Sequence, residues 1–228
     1  MSPKQVTFTR PAVLSAALEL IRQHGWESLS ARGLAQKLKS SVAPVYSAFG
    51  SMAALQRQVL LEARRLLDAT VAVSYTDMPF LNIGVGVVAF ARQEPNLFRA
   101  LFLQRHGQPD ILRAFHDSIL KHMSQDAMLK LLSEASRRRL LENIWLYTLG
   151  LANSIIFDQI KHVSTEKIIR LLKDAGNVLI YAEAAGIMPC NSPENEAAWL
   201  RLMREKNIVS PSVEAVCPDP AKNSNGQD

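Results

Sequence analysis

The chain has 228 residues, 48% of them hydrophobic and 21% charged, with a formal net charge of +5. That length can bury a sizeable core, and that balance excludes a wholly disordered chain. A membrane span is excluded too: residues 140–157 come nearest to the roughly 18–20 uninterrupted apolar residues it needs, but Glu142, Asn143, Asn153 and Ser154 interrupt them. The first residues lack an apolar core followed by a cleavage site, so a cytoplasmic protein is expected. Cys190 and Cys217 have no second Cys or His at metal-ligand spacing, which predicts reduced thiols, no metal and no cofactor. The positive charge is uneven. Residues 1–55 carry Lys4, Arg10, Arg22, Arg32, Lys37 and Lys39 against Glu19 and Glu27, the electrostatic footprint of a small nucleic-acid-binding unit.

In chain order, apolar residues recur at helical spacing and alternating strands do not occur, so the expected class is all-α. Thr9 is a competent N-cap for a first helix with Pro11 in its first turn, and Val13, Leu14, Ala17, Leu18 and Ile21 form its apolar stripe. Gly25 suits its end. Ser30 caps a short second helix with Leu34, Ala35 and Leu38 inward, Lys39-Ser40-Ser41 makes a turn, and a third helix spans 42–49 to Gly50. Ser51 caps a fourth helix reaching about residue 74. Helices over 80–92, from Pro95 or Asn96 to 105, and over 110–123 are separated by Pro79, Glu94-Pro95 and Gly107-Gln108-Pro109. Two long apolar helices over 137–160 and 165–185 follow, then a short one around 194–205 and a loose tail. Arg137, Arg138 and Arg139 are expected at a solvated helix start.

Helices two and three have the lengths and short link of a helix-turn-helix. Gly25-Trp26, Ser30, Tyr46-x-x-Phe49 and Gly50-Ser51 stand where the tetracycline-repressor family of transcriptional regulators places them, and residues 13–60 resemble that family closely. Weaker echoes follow in EPNLFRALF, residues 94–102, similar to the family's sixth helix, and in WLYTLGLANSI, residues 145–155, similar to its eighth, where Leu149 replaces a frequent His. Three departures stand out. Lys39 occupies a turn position where glycine is usual and the backbone is expected to be left-handed. Val42, Ala43 and Pro44 replace a helix start that commonly carries a Lys, and Met52 replaces another.

The resemblance implies a three-helix DNA-binding head, residues 1–54, joined to a helical ligand-binding and dimerisation domain, residues 55–190, with 191–228 a short helix and tail. The third helix would lie in the major groove of double-stranded DNA. Val42, Ala43 and Pro44 offer apolar contact to thymine methyls but no bidentate bonds to guanine, so an A/T-leaning half-site centre is expected. Tyr46 and Ser47 supply hydroxyls, Ser30 and Ser41 stand at helix starts facing phosphate, and Arg10, Arg32, Lys37 and Lys39 supply charge. The alternative for Tyr46 is packing inside the head.

Release from DNA by a small, mostly apolar effector is the implied mechanism, with Phe90, Phe98, Phe102, Phe115, Met123, Trp145 and Leu149 as candidate pocket residues and His122 and Asn153 as polar ones. For each, ordinary core packing is the competing reading. The helices over 140–160 and 165–185 carry apolar surplus at Leu171, Leu172, Val178, Leu179 and Tyr181, which predicts a homodimer on a palindromic operator. No phosphate loop, nucleophile elbow or helical zinc motif points to an enzyme. The alternatives left open are an activator, a ligand-independent regulator, and a helical lipid-binding or scaffold module with a vestigial head.

Overall fold

A computed structural model describes residues 8–104, 108–161, 163–185 and 193–205. Among these there are ten α-helices and no strand: α1 Arg10–His24, α2 Ala31–Lys37, α3 Ala43–Phe49, α4 Met52–Val71, α5 Pro79–Gln93, α6 Pro95–Phe102, α7 Pro109–Gln125, α8 Glu134–Ile156, α9 Thr165–Ala184 and α10 Pro193–Glu205. Cys190, Cys217, His162 and the tail beyond residue 205 lie outside the described residues.

Helix starts follow side-chain chemistry. Thr9, Ser30 and Ser51 each accept a backbone N–H three residues on, at 3.4, 3.1 and 3.1 Å, satisfying donors the helix leaves open. Ser133 does the same for Ser136 at 3.1 Å, which starts α8 three residues before the predicted Arg137. The arginine run therefore falls inside the first turns, where Arg138 pairs with Glu134 and Arg139 with Glu183 of α9. At α3 the helix starts one residue later than predicted: Val42 is the cap residue, and the Ser41 hydroxyl accepts the Ala43 N–H at 3.3 Å. Gly25 and Gly50 end α1 and α3. Lys39 does have the left-handed backbone expected of it, with φ 50°.

α5 is the central helix, buried from Asn82 to Ala91 except at Gly84, and packed on α4, α6, α7, α8 and α9. A Cβ at Gly86 would lie 2.6 Å from the Val71 Cα, so only glycine allows α4 to cross there. The buried Asn82 ties the α4–α5 loop down: its Oδ1 accepts from the Thr76 N–H at 2.8 Å and the Thr76 hydroxyl at 2.9 Å, and its Nδ2 donates to the Thr76 carbonyl at 3.0 Å.

The head is not a separate bead. Its core residues Val13, Ala17, Ile21, Leu34, Val45 and Phe49 run without a break into the buried faces of α4, α5 and α6. At that junction Arg22 of α1 makes a bidentate ion pair with Glu94 at the start of α6, 2.7 Å at its shortest, and Asn96 donates to the Arg22 carbonyl at 2.8 Å. A second tie joins Arg57 of α4 to Asp110 of α7 at 2.7 Å. It holds the Asp110 carboxyl below the usual carboxylate range.

Candidate nucleic-acid interface and interior cavity

α2 and α3 are held by what they bury. Leu34 of α2 and Val45 and Phe49 of α3 face the head core, which leaves the opposite face of α3 to solvent. On that face Val42 and Tyr46 are 42% and 48% exposed, Ala43 and Ser47 are exposed beside them, and Pro44 is half-buried. Tyr46 is therefore outside the head core. Ser30, Arg32, Lys39 and Ser41 are also exposed. The Ser30 hydroxyl is committed to capping α2, whose start is pressed against the preceding turn: a Cβ at Gly33 would sit 2.6 Å from the Ser28 carbonyl.

The cations of the head differ in how they are held. The guanidinium of Arg10 lies over the Phe49 ring, 4.6 Å from its centroid, which fixes an arginine beside the end of α3. Lys37 instead turns back onto α1, pairing with Glu19 at 3.1 Å and Gln23 at 3.3 Å. Its charge is largely spent within the head.

The aromatic residues marked in the sequence as pocket candidates fill one another. Phe90, Phe98, Phe115 and Met123 are fully buried. Phe102 stands 4.9 Å from Phe98 and 5.2 Å from Trp145, and Phe115 is 5.7 Å from Trp145, centroid to centroid. His116 closes the group, edge-on to Trp145 at 4.9 Å, and burial pushes its imidazole below the usual range. His122 is exposed on α7. Leu149 and Asn153 are half-buried on α8, and the Asn153 Oδ1 is buried without a hydrogen-bond partner among the described residues.

The open space lies elsewhere. A cavity of about 640 Å³ sits between α5, α8 and α9, bounded by the end of α7 and a 3₁₀ turn at Leu129–Leu131. That is an ordinary size for a small-molecule site. Trp145 is the one sequence candidate in its wall. Its inner wall is Ile83, Val87, Ile119, Leu129, Leu141 and Leu172, all buried and apolar, with the Thr148 hydroxyl turned to the Ile144 carbonyl at 2.8 Å. Asp77, Met128, Tyr147, Lys173, Asn177 and Tyr181 stand at exposed parts of the wall. Gly84 and Gly176 also line it, and their missing side chains help to keep it open. Those two mid-helix glycines were the available sequence signal, but a helical glycine equally marks close packing, as Gly86 does.

Among the described residues, no helix is long and apolar enough to cross a membrane, and no three His, Cys, Asp or Glu residues are grouped to hold a metal.

Residues 13–59 match the family model described as bacterial regulatory proteins, tetR family. No curated protein matches the sequence. Among solved structures, the chain is similar to a TetR variant from Acinetobacter baumannii AYE in complex with minocycline, with a TM-score of 0.52 and 16% identity, over 77% of this chain and 96% of that one. PfmR from Thermus thermophilus, a TetR-family transcriptional regulator, matches with a TM-score of 0.47 and 17% identity over 77% and 97% of the two chains. Apo ActR from Streptomyces coelicolor matches at 0.42 and 16% over 80% and 100%. Residues 13–59 thus match the N-terminal domain model of the tetR family of bacterial regulatory proteins, and the all-helical fold around them is similar to that of a solved TetR.

Proposed function

We propose that this regulator binds a palindromic operator as a two-fold dimer, with α3 of each protomer in the major groove, and leaves it when a small, mostly apolar molecule occupies the interior cavity. The observation that carries the DNA reading is the solvent face of α3. Val42, Ala43, Tyr46 and Ser47 share one exposed face at helical spacing while Val45 and Phe49 anchor the helix from behind. Val42 and Ala43 suit thymine methyls, Tyr46 and Ser47 offer hydroxyls to phosphate or a base edge, and Arg10, Arg32 and Lys39 neutralise backbone charge. Lys37, engaged by Glu19, is a weaker contributor than its position in the sequence suggests.

Regulators of this family bind DNA and small-molecule effectors as dimers, and the minocycline complex is a case of a small molecule held on this fold. The dimer reading is supported here by the outer faces of α8 and α9, where Leu146 and Val178 are each 68% exposed and Tyr181 is 65% exposed. Of the residues marked in the sequence for this face, Leu172 is buried and lines the cavity, while Leu171 and Leu179 are half-buried. Residues 1–54 thus act on DNA and 55–190 on the ligand and the partner.

Footprinting of the purified chain on the DNA flanking its own coding sequence tests the reading. A protected, symmetric tract is expected. Tyr46→Phe should weaken binding, and Lys39→Ala should weaken it and reduce the salt slope by about one counterion. Absence of binding at low salt, or indifference to both substitutions, refutes the assignment.

A further inference from the structure

α4 leaves the head at Met52 and runs 20 residues, about 30 Å, to Val71. α7 runs away from the head beside it, since Arg57 meets Asp110 and Arg64, further along α4, lies over the Phe115 ring. The loops that follow these two helices therefore share the end of the body remote from α3. Both contribute to the cavity wall there, one through Asp77 and Met78, the other through Ala127 and Met128. Apolar side chains stand out of this end. Leu131 is 81% exposed and Met128 71%, the two most exposed large apolar side chains among the described residues, and Val73 and Met78 of the neighbouring loop are exposed as well.

The turn that presents Met128 and Leu131 completes its own hydrogen bonds. The Met128 and Leu129 N–H groups donate to the Asp126 Oδ1 at 2.9 and 3.1 Å, and those of Lys130, Leu131 and Leu132 donate to the carbonyls of Asp126, Met128 and Leu129 at 3.2, 3.1 and 3.1 Å. The Arg137 guanidinium donates to the carbonyls of Lys130 and Leu132. Five consecutive N–H groups are thus satisfied without water, and Leu129 alone turns inward. A turn in water has no need of such closure. A turn that enters an apolar boundary does, because an open backbone group is costly there. Charge completes the pattern. Lys130 is exposed between Met128 and Leu131, and Lys121 is exposed one turn before the end of α7. The ion pairs of this end take up Arg138 and Arg139, not these two lysines or Arg137. The acids of the two loops are Asp77 and Asp126, and Asp126 is committed to the turn.

We propose that this end of the body docks on an anionic lipid surface, with Leu131 and Met128 entering the boundary between headgroups and chains while Lys121, Lys130 and Arg137 meet lipid phosphates. A protein partner calls for a groove or a flat face; two side chains on a closed knuckle suit a fluid that adapts to them. α3 lies at the other end, so DNA and lipid approach the molecule from opposite sides. Docking also sets one end of the cavity wall against the phase in which an apolar effector concentrates. That consequence rests on the effector reading above, and the docking itself does not.

The test is flotation of the full chain with vesicles of phosphatidylglycerol and phosphatidylcholine in equal parts. Wild-type protein should float with them and be released by salt. Leu131→Ser, at a site already in solvent, should weaken that binding about tenfold. Lys130→Glu should weaken it and lessen its salt dependence. In Leu131→Trp, the fluorescence added over that of the three native tryptophans should be quenched by lipids brominated on their chains. Because the basic head also attracts anionic lipid, the Leu131 variants decide. Flotation of Leu131→Ser equal to wild type, or no added quenching in Leu131→Trp, overturns the docking tip, as does wild-type protein that stays off the vesicles at low salt. A gel shift on flanking DNA separates this inference from the regulator reading, since neither Leu131 nor Lys130 belongs to the head or lines the cavity. A kept shift without vesicle binding removes the docking tip and leaves the regulator standing; a missing shift with vesicle binding does the reverse.

Discussion

Lys39 is the plainest conflict between local chemistry and placement in this chain. A φ of 50° costs a non-glycine residue on the order of 1 kcal/mol, yet the position carries a lysine on the exposed side of the head. Lys39→Gly should therefore raise stability by up to about 1 kcal/mol in urea denaturation while lowering DNA affinity and its salt slope. If stability falls instead, the turn is not strained. His116 presents a different conflict, an imidazole half-buried against Trp145 and Phe115 with its Nε2 unpartnered among the described residues. Burial is the largest cause of its depressed pKa; Asp117 pulls it up and Arg64 pushes it down. The folded state thus binds this proton less readily than the unfolded chain does. Its contribution is complete above the usual imidazole value of 6.5 and is lost as pH falls from there toward the folded value. His116→Phe should flatten the stability profile between about pH 7 and pH 5, a range above the titration of the paired carboxylates Glu62, Asp110 and Glu134. An unaltered profile in the variant refutes this account.

At the scale of elements, α4 and α5 cross at Gly86 with backbone close against backbone. A methyl group at Gly86 would meet the Val71 Cα at 2.6 Å and the Thr70 carbonyl oxygen at 2.7 Å, both backbone atoms that cannot swing aside. Gly86→Ala should cost about 1–3 kcal/mol by equilibrium unfolding, despite the better helix propensity of alanine. A neutral or stabilised variant would mean that α4 shifts freely against α5. The contrast with Gly176 is instructive: both are helical glycines, but one touches backbone and the other faces open space. The starts of α1, α2 and α4 were legible because capping is local. Thr9, Ser30 and Ser51 each need only the N–H three residues on. The ends of α4 and α8 were less so, since Val71 and Ile156 stop their helices short of predicted residues 74 and 160 with no glycine or proline to mark the place.

Across the whole molecule, the head shares its core with the body. The buried surface runs unbroken from Val13 and Leu34 through Leu55 and Val59 to α5 and α6, and the Arg22–Glu94 pair spans the same junction. Unfolding should therefore be a single transition. Trp26 stands in the head and Trp145 in the body, so variants retaining one of these tryptophans alone should report the same urea midpoint. Separated midpoints would show a head that melts independently. The same continuity gives ligand occupancy a route to α3, because α5, whose Gly84 lines the cavity, packs on α4, and α4 in turn packs on α3.

Taken alone, the amino-acid sequence determined the helical class and the order of the helices, which depend on neighbours within a few positions, where periodicity, caps and turn chemistry act. The head with its exposed α3 residues and the left-handed turn at Lys39 were implied by its resemblance to the tetracycline-repressor family. Tertiary structure decided which apolar side chains meet. Phe98, Phe102, Phe115 and Trp145 are as apolar as any cavity wall, but the rotation of α6, α7 and α8 about their axes turns them onto each other and leaves the space between α5, α8 and α9. Hydrophobicity drives a side chain out of water without naming its partner; that choice belongs to the packing of whole helices.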